Sequence, residues 1–344
     1  MISIYRYTQN KQTEWDDFVK VSKNGTFLFL RAYMDYHSDR FHDHSLMFYN
    51  EKNKLIAVLP ANQTRPSKSP CIGGLSSNSG TPPTQGERGE GLTLHSHQGL
   101  TYGGFVLSPE IHISEVGELF RLTVYYLKEN GICEWNYKQI PYIYHLIPSQ
   151  EEDYWLWRYN ATQKACNMMT VIDFKSTIND ISSSRKRTYF KKLNRQGYTV
   201  VFDADIRDFW PILEDNLMKR FSSHPVHSLS EIELLKQRFP DNIVCCTVKN
   251  PDGITIAGTL LFITLQVVRT QYISASHEGK RSNALDYLML TLIRHYGNNP
   301  QYRYFEFGTS MAEDGIHLNE GLILQKEGFG GRAVACKIYS IKIQ

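Results

Sequence analysis

The sequence has no long hydrophobic run. Its most apolar stretch, 254–268, is shorter than the ~20 residues a membrane-spanning helix requires, and Gly258 and Gln266 interrupt it. The opening MISIYRYTQNKQ has no basic region followed by an apolar core, so no signal peptide is expected. Cysteine is scarce: six, at positions 71, 133, 166, 245, 246 and 336. No two stand at zinc-ligand spacing, and six is few for a disulfide scaffold, so reduced thiols in a cytoplasmic protein are expected. Charge of one sign is also lacking. The formal net charge of +3 is too small to demand a polyanionic partner. No G-x-S-x-G elbow or phosphate-binding P-loop is present, which sets aside serine hydrolases and P-loop NTPases. No zinc finger or RNA-recognition signature points to a nucleic acid, and DNA is not an expected partner.

What is there describes a folded chain. With 344 residues, 41% hydrophobic and 21% charged, it can bury a sizeable core, and the length suggests two domains. The clearest break in composition is the segment 64–91, rich in Gly, Ser and Pro and poor in large apolar residues. Such a stretch buries too little surface to offset its ordering entropy, so it reads as a flexible insertion within a domain. Its glycines follow from that composition and do not mark a phosphate loop.

The C-terminal half alternates strands and helices. A strand is predicted over 198–202 and a helix over 205–221, where Ile206, Phe209, Trp210, Leu213, Leu217 and Phe221 recur at helical spacing. Ser228 and Glu231 form a capping box for a helix that ends before Pro240. The turn at Asn250-Pro251-Asp252-Gly253 joins two strands. A strand at 267–276, a loop at 278–283, a helix from 284, a strand at 302–307, a helix at 318–326 and a strand at 333–343 complete the half. The N-terminal half repeats this order roughly: strand 2–6, helix 12–21, hairpin 45–61, a single strand 92–106, helix 114–129 and strand 133–137. The fold class is therefore α/β with mixed (α+β) sheets, in two similar domains, 1–165 and 166–344.

The segments SHQGLTYGG (96–104), HSLSEIELLKQRFP (227–240), TQYISAS (270–276) and FEFGTSMAEDGIHLNEGLILQKEGFGGR (305–332) resemble the GNAT acyltransferases. Over most of its length the chain is similar to tandem GNAT proteins, a group that includes the Fem-type transferases of peptidoglycan bridges. The resemblance implies a thioester held between two splayed strands, and a pyrophosphate bound by backbone N–H groups at the start of the following helix. The matching segment, 277–288, carries one glycine of the family's usual pair. Gly279, Lys280, Arg281, Ser282 and Asn283 are its candidates for acetyl-CoA or another acyl-CoA, with Ser282 and Asn283 read as N-caps. A solvent-exposed basic loop is the plain alternative.

Amide formation needs a base for the amine proton. Glu306, at a strand end before Gly308, is one candidate; a solvated strand-end carboxylate is the other reading. His227 is a second candidate, with His224 beside it across Pro225. Tyr272 lies on the strand expected beside the thioester and could bond substrate, or could be a core tyrosine. Ser310, Asn319 and Lys326 are candidate substrate contacts, Lys326 otherwise being a surface lysine. Asp286 complements a helix dipole. In the first half, a His-x-His pair at His95 and His97 in a strand, together with Tyr102, suggests a substrate-facing role; no acidic or thiol ligand accompanies the pair, so no metal is expected. The run Arg185, Lys186, Arg187, Lys191, Lys192 and Arg195 reads as a solvated helix face, or as a surface for tRNA phosphates, an anionic membrane or a phosphorylated lipid.

The sequence thus points to a cytoplasmic N-acyltransferase moving an acyl group, expected to be acetyl, from acyl-CoA to an amine of a small molecule or cell-envelope sugar or peptide precursor. Membrane contact would be peripheral at most. A Fem-like transferase using aminoacyl-tRNA is the alternative, and a non-catalytic binding module is the third reading.

Overall fold

The computed structural model describes residues 1–65, 91–176, 183–312 and 314–344. The 64–91 insertion lies almost wholly outside the described residues. In chain order the elements are β1 (Ser3–Arg6), α1 (Gln12–Val21), α2 (Arg31–Met34), β2 (His42–Asp43), β3 (Leu46–Tyr49), β4 (Leu55–Leu59), β5 (Asn62–Thr64), β6 (Leu92–His95), β7 (Val106–Leu107), α3 (Ile113–Glu129), β8 (Ile132–Lys138) and α4 (Glu151–Arg158). They continue with β9 (Thr162–Asp173), α5 (Ser184–Arg195), β10 (Thr199–Val201), α6 (Ile206–Phe221), α7 (Leu229–Arg238), β11 (Ile243–Lys249), β12 (Thr255–Ile263) and β13 (Val267–Ala275). The last are α8 (His277–Ser282), α9 (Ala284–Gly297), β14 (Tyr304–Thr309), α10 (Glu320–Glu327) and β15 (Arg332–Lys342).

The chain forms two units. One comprises Met1–Asn167 with Ala335–Gln344, the other Met168–Ala312 with His317–Val334. The residues Ala335–Gln344 thus belong to the first unit, not to the half in which their place in the sequence put them. In the first unit β1, β3, β4 and β7 form one sheet, and β15, β8, β6, β5 and β2 line up in another. The predicted strand 92–106 is in fact two, β6 and β7, in different sheets. The turn that separates them begins at His97, which adopts φ +57. Phe48, Phe105, Phe120 and Trp135 are fully buried in this unit's core. The helix α4 was not legible in the sequence because its eight residues are too few to show a helical period.

In the second unit the strand order is β10-β11-β12-β13-β14-β9. Asp205 caps α6, accepting from the Arg207 N–H, and the Ser228–Glu231 capping box forms at α7 as its sequence requires. Alternate residues of β12 serve two neighbours. Gly258 lies under the Phe209 ring of α6, where a Cβ would come within 2.5 Å, while Ala257 and Leu261 join the core built on α9. The predicted loop at 278–283 is instead the short helix α8. Its N-cap is Ser276, whose hydroxyl accepts from the Gly279 N–H.

One buried acid in the first unit has a measurable consequence. Glu152 lies in the first turn of α4 and accepts the Tyr137 hydroxyl at 2.5 Å. Burial raises its carboxyl from the ordinary 4.5 to about 8. Between those values the unfolded chain releases this proton while the folded chain holds it. Stability is therefore lost as pH rises through that window, by up to roughly 4–5 kcal/mol. Glu152→Gln should show a stability gain over the native chain that is smallest near pH 4.5 and largest above pH 8. Urea unfolding across that range measures it, and a gain independent of pH would contradict the buried neutral carboxyl.

Candidate active site

The site grows from a fork between two parallel strands. β13 and β14 pair at Val267 with Tyr304, Val268 with Phe305 and Arg269 with Glu306, and no further. Beyond that point each strand carries an irregularity. On β13 the pairing with β12 jumps from Thr270 to Tyr272, leaving Gln271 as the extra residue. On β14 the pairing with β9 skips Phe307 and Gly308, and Gly308 takes φ +73. A bulge bends its strand and increases local twist, so two bulges past the last pair are a sufficient cause of divergence.

Charge pins the fork. Glu306 is fully buried, and both its carboxylate oxygens accept from Arg269 Nη1, at 3.1 and 3.2 Å. The Gly308 N–H adds a third bond at 3.1 Å. Glu306 is therefore not the solvated strand-end carboxylate that one reading of the sequence allowed. Its oxygens are engaged in joining the strands.

Directly past the fork lies Lys326 of α10, which is buried rather than a surface lysine. Its ammonium donates to the carbonyls of Gly308 (3.1 Å) and Thr309 (2.7 Å) and to the Ser310 hydroxyl (2.8 Å). Burial lowers its pKa from 10.5 to about 8, against the attraction of Glu306, which raises it. Ser310 is itself fully buried. Asn319 stands just before α10 and caps it, its side-chain oxygen accepting from the Leu322 N–H at 3.0 Å. A cavity of about 270 Å³ opens here, lined by α6, the end of β13, Lys280, the start of α9, Phe307 and α10 with Lys326.

Further back along β13, Tyr272 and His227 meet. His227 Nδ1 lies 2.6 Å from the Tyr272 hydroxyl, and the Tyr272 ring packs edge-on against Trp210. Burial pushes the Tyr272 hydroxyl up to about 12, so it is neutral at physiological pH and able to donate. His224, in the same loop, is exposed.

The candidate donor loop differs from its sequence reading. Gly279 packs against β12, where a Cβ would lie 2.2 Å from the Ile256 carbonyl. Lys280 bonds the Asn216 side chain, and Arg281 is exposed. Ser282 and Asn283 are not N-caps. The Ser282 hydroxyl bonds back to the Glu278 and Gly279 carbonyls, and Asn283 takes the left-handed conformation between α8 and α9 with no capping bond. Asp286 does more than complement a dipole: it pairs with Lys186 at 2.8 Å, which removes one cation from the solvated face of α5.

The first-unit candidates are core residues. His97 lies beyond the end of β6, so the expected strand alternation with His95 does not apply. It is buried, stacked on His37 at 5.3 Å, and burial depresses its pKa. Tyr102 is buried against Tyr144 and donates to the Thr26 hydroxyl at 3.2 Å. Among the described residues no group of three or more His, Cys, Asp or Glu could hold a metal ion. The residue the sequence reading missed is Arg269. Its signal was present: a lone cation in one apolar strand and a lone carboxylate in another must be paired if both strands are buried.

No protein-family model matches the sequence, and no curated relative matches it. Solved structures do. The chain is similar to FemX over 99% of its own length and 97% of that chain, with a TM-score of 0.67 at 12% identity. It is similar to the L-PGS of Bacillus licheniformis (98% and 93% covered, TM-score 0.58, 12% identity). It is also similar to a tandem GNAT protein from the clavulanic acid biosynthesis pathway (100% and 99%, TM-score 0.51, 9% identity). The fold is thus the tandem GNAT fold that these proteins share, a mixed α/β architecture running the length of the chain.

Removing one partner of the buried pair should unfold the fork. Glu306→Gln removes the buried carboxylate's charge from the pair and should cost about 3–5 kcal/mol in denaturant unfolding. The double change Arg269→Met with Glu306→Leu should recover most of that loss. A Glu306→Gln protein of native stability would show that the pair does not hold the strands.

Proposed function

We propose that the chain is an acyltransferase that moves an acyl group from an acyl-CoA to a primary amine of a small molecule or cell-envelope precursor. The observation that carries the reading is the fork itself: parallel strands that part at Arg269 and Glu306, with a cavity at the parting that carries Arg220, Lys280 and Lys326 among its walls. The donor supplies the acyl group as a thioester. Arg220 and Lys280 at the cavity are cations suited to its phosphates. Seating a pyrophosphate on the Gly279 N–H requires the Ser276 hydroxyl to release it.

In this reading the acceptor nitrogen attacks the acyl carbon, a C–N bond forms, and the C–S bond breaks with the thiolate leaving. Tyr272 accepts the ammonium proton while passing its own to His227 Nδ1, so the pair acts as the base that Glu306 is too engaged to be. Lys326, mostly charged at pH 7, stabilises negative charge that develops on the acyl oxygen through its field, its three N–H donors being taken by Gly308, Thr309 and Ser310. Tyr272→Phe should lower kcat with KM kept, and Lys326→Met should lower it by roughly 10²–10³. Activity of the native protein should fall as pH rises through about 8, where Lys326 loses its proton. Calorimetric titration with acetyl-CoA and free CoA comes first, followed by a screen of amine acceptors. Absence of binding at millimolar CoA would sink the thioester donor.

One observation favours a second reading. Ser276 already occupies the Gly279 N–H, which suits an aminoacyl-tRNA donor, since that donor needs no pyrophosphate there. Transfer from charged tRNA by a protein that ignores CoA would establish it.

A further inference from the structure

The walls of the cavity say more about the acyl group than the fork does. They are apolar for most of their extent: Leu213, Leu217 and Phe221 from α6, Ile273 from β13, Met289 from α9 and Phe307 from β14. The charged side chains among the lining are Arg220, Lys280 and Lys326, all cationic, and among the described residues no carboxylate joins them. Such a lining is matched by a molecule with an apolar part and an anionic part, and it disfavours a cationic one. Size narrows the apolar part. An apolar protein cavity of about 150 Å³ holds a benzene molecule, a six-carbon body. The cavity here is about 270 Å³. A single acetyl methyl would leave most of that space without contact, and unfilled apolar space forfeits dispersion attraction on every wall. The apolar surface also continues outward from the cavity. Phe221 lines it while remaining 39% exposed.

We infer that the cavity takes an aliphatic acyl chain of about six carbons or more, delivered on an anionic carrier, rather than acetyl. The inference rests on the acyl-transfer reading above. It replaces the default acetyl group with a substrate class set by Leu213, Leu217, Phe221, Ile273, Met289 and Phe307. Arg220 and Lys280 hold the anionic end, and Lys326 marks the depth at which the carbonyl sits beside the fork.

The test is a calorimetric series on the full chain with free CoA, acetyl-CoA, butyryl-CoA, hexanoyl-CoA and octanoyl-CoA, and with octanoate alone. Affinity should rise about fourfold per added methylene from acetyl to hexanoyl, the gain expected for burying each group. Leu217→Trp, which fills the cavity, should abolish that rise, so that hexanoyl-CoA and octanoyl-CoA bind no better than acetyl-CoA. Leu322→Trp, on a different element, serves the same purpose if the first variant melts early. Equal affinity along the series would overturn the inference and leave acyl transfer standing, the cavity then seating only the carrier's own arm. Octanoate binding that either tryptophan abolishes, with no CoA compound bound, would remove CoA as donor and sustain the apolar-chain site. Failure of octanoate and of every acyl-CoA to bind would overturn both.

Discussion

The ion pair between Arg269 and Glu306 is the constraint on which the second unit depends. It joins the last two residues at which β13 and β14 still pair. On one side of it the two strands run as an ordinary parallel ladder. On the other, two bulges carry them apart and a cavity opens. A pair buried to this degree is expensive, since each charge gives up its hydration for the attraction of the other. Apolar residues in its place would hold the strands at least as well. What they would not do is fix the point of separation. A Leu–Val contact can slide by a fraction of a residue, whereas a guanidinium bonded to both oxygens of one carboxylate cannot.

The same pair sets the electrostatics of what lies beyond it. Burial lowers the Lys326 pKa, and Glu306 opposes that shift. The lysine is thereby left close to physiological pH in its titration, held by the two carbonyls and the hydroxyl that follow Gly308. The positive φ of Gly308 turns those carbonyls toward the lysine, a conformation a residue with a Cβ adopts only with strain. Strand pairing, bulge, turn and buried cation are therefore one device. A change to any one of them reaches the cavity.

Much of this architecture could be read from the sequence, because the elements that were legible declare themselves locally. Ser228 with Glu231, and Asn250 with Gly253, are a cap and a turn whose chemistry acts within a few residues, and the structure uses each as its sequence demands. The pairing of His227 with Tyr272 was within reach only as two separate candidates, since 45 residues separate them. What failed was whatever depends on contacts distant in sequence or on an uncommon backbone. His97 was expected to alternate along a strand, but the strand ends at His95 and His97 turns into the core beside His37. Ser276 was overlooked as a cap because α8 is too short to show a periodicity, and the cap was sought instead at its far end. Lys326 and Glu306 were both weighed as solvated side chains, the commoner fate of their residue types. Only tertiary packing makes them the exceptions.

The comparison with solved structures fits this division between geometry and chemistry. At about a tenth of residues identical, a shared fold cannot rest on shared side chains. It rests on the order and placement of elements, features that many sequences can satisfy. A fold of this kind hosts different reactions according to what lines the site. For this chain the lining is apolar with cations at its polar end, and the backbone donors at α8 are partly spent on Ser276. In the acyl-transfer reading proposed above, those two features, rather than the fold, decide which donor the fork receives. They bear on it independently, the first through the chain that is carried and the second through the group that carries it. A donor must satisfy both: an apolar chain alone would leave Arg220 and Lys280 without a counter-charge, and a bare phosphate would leave the walls unfilled.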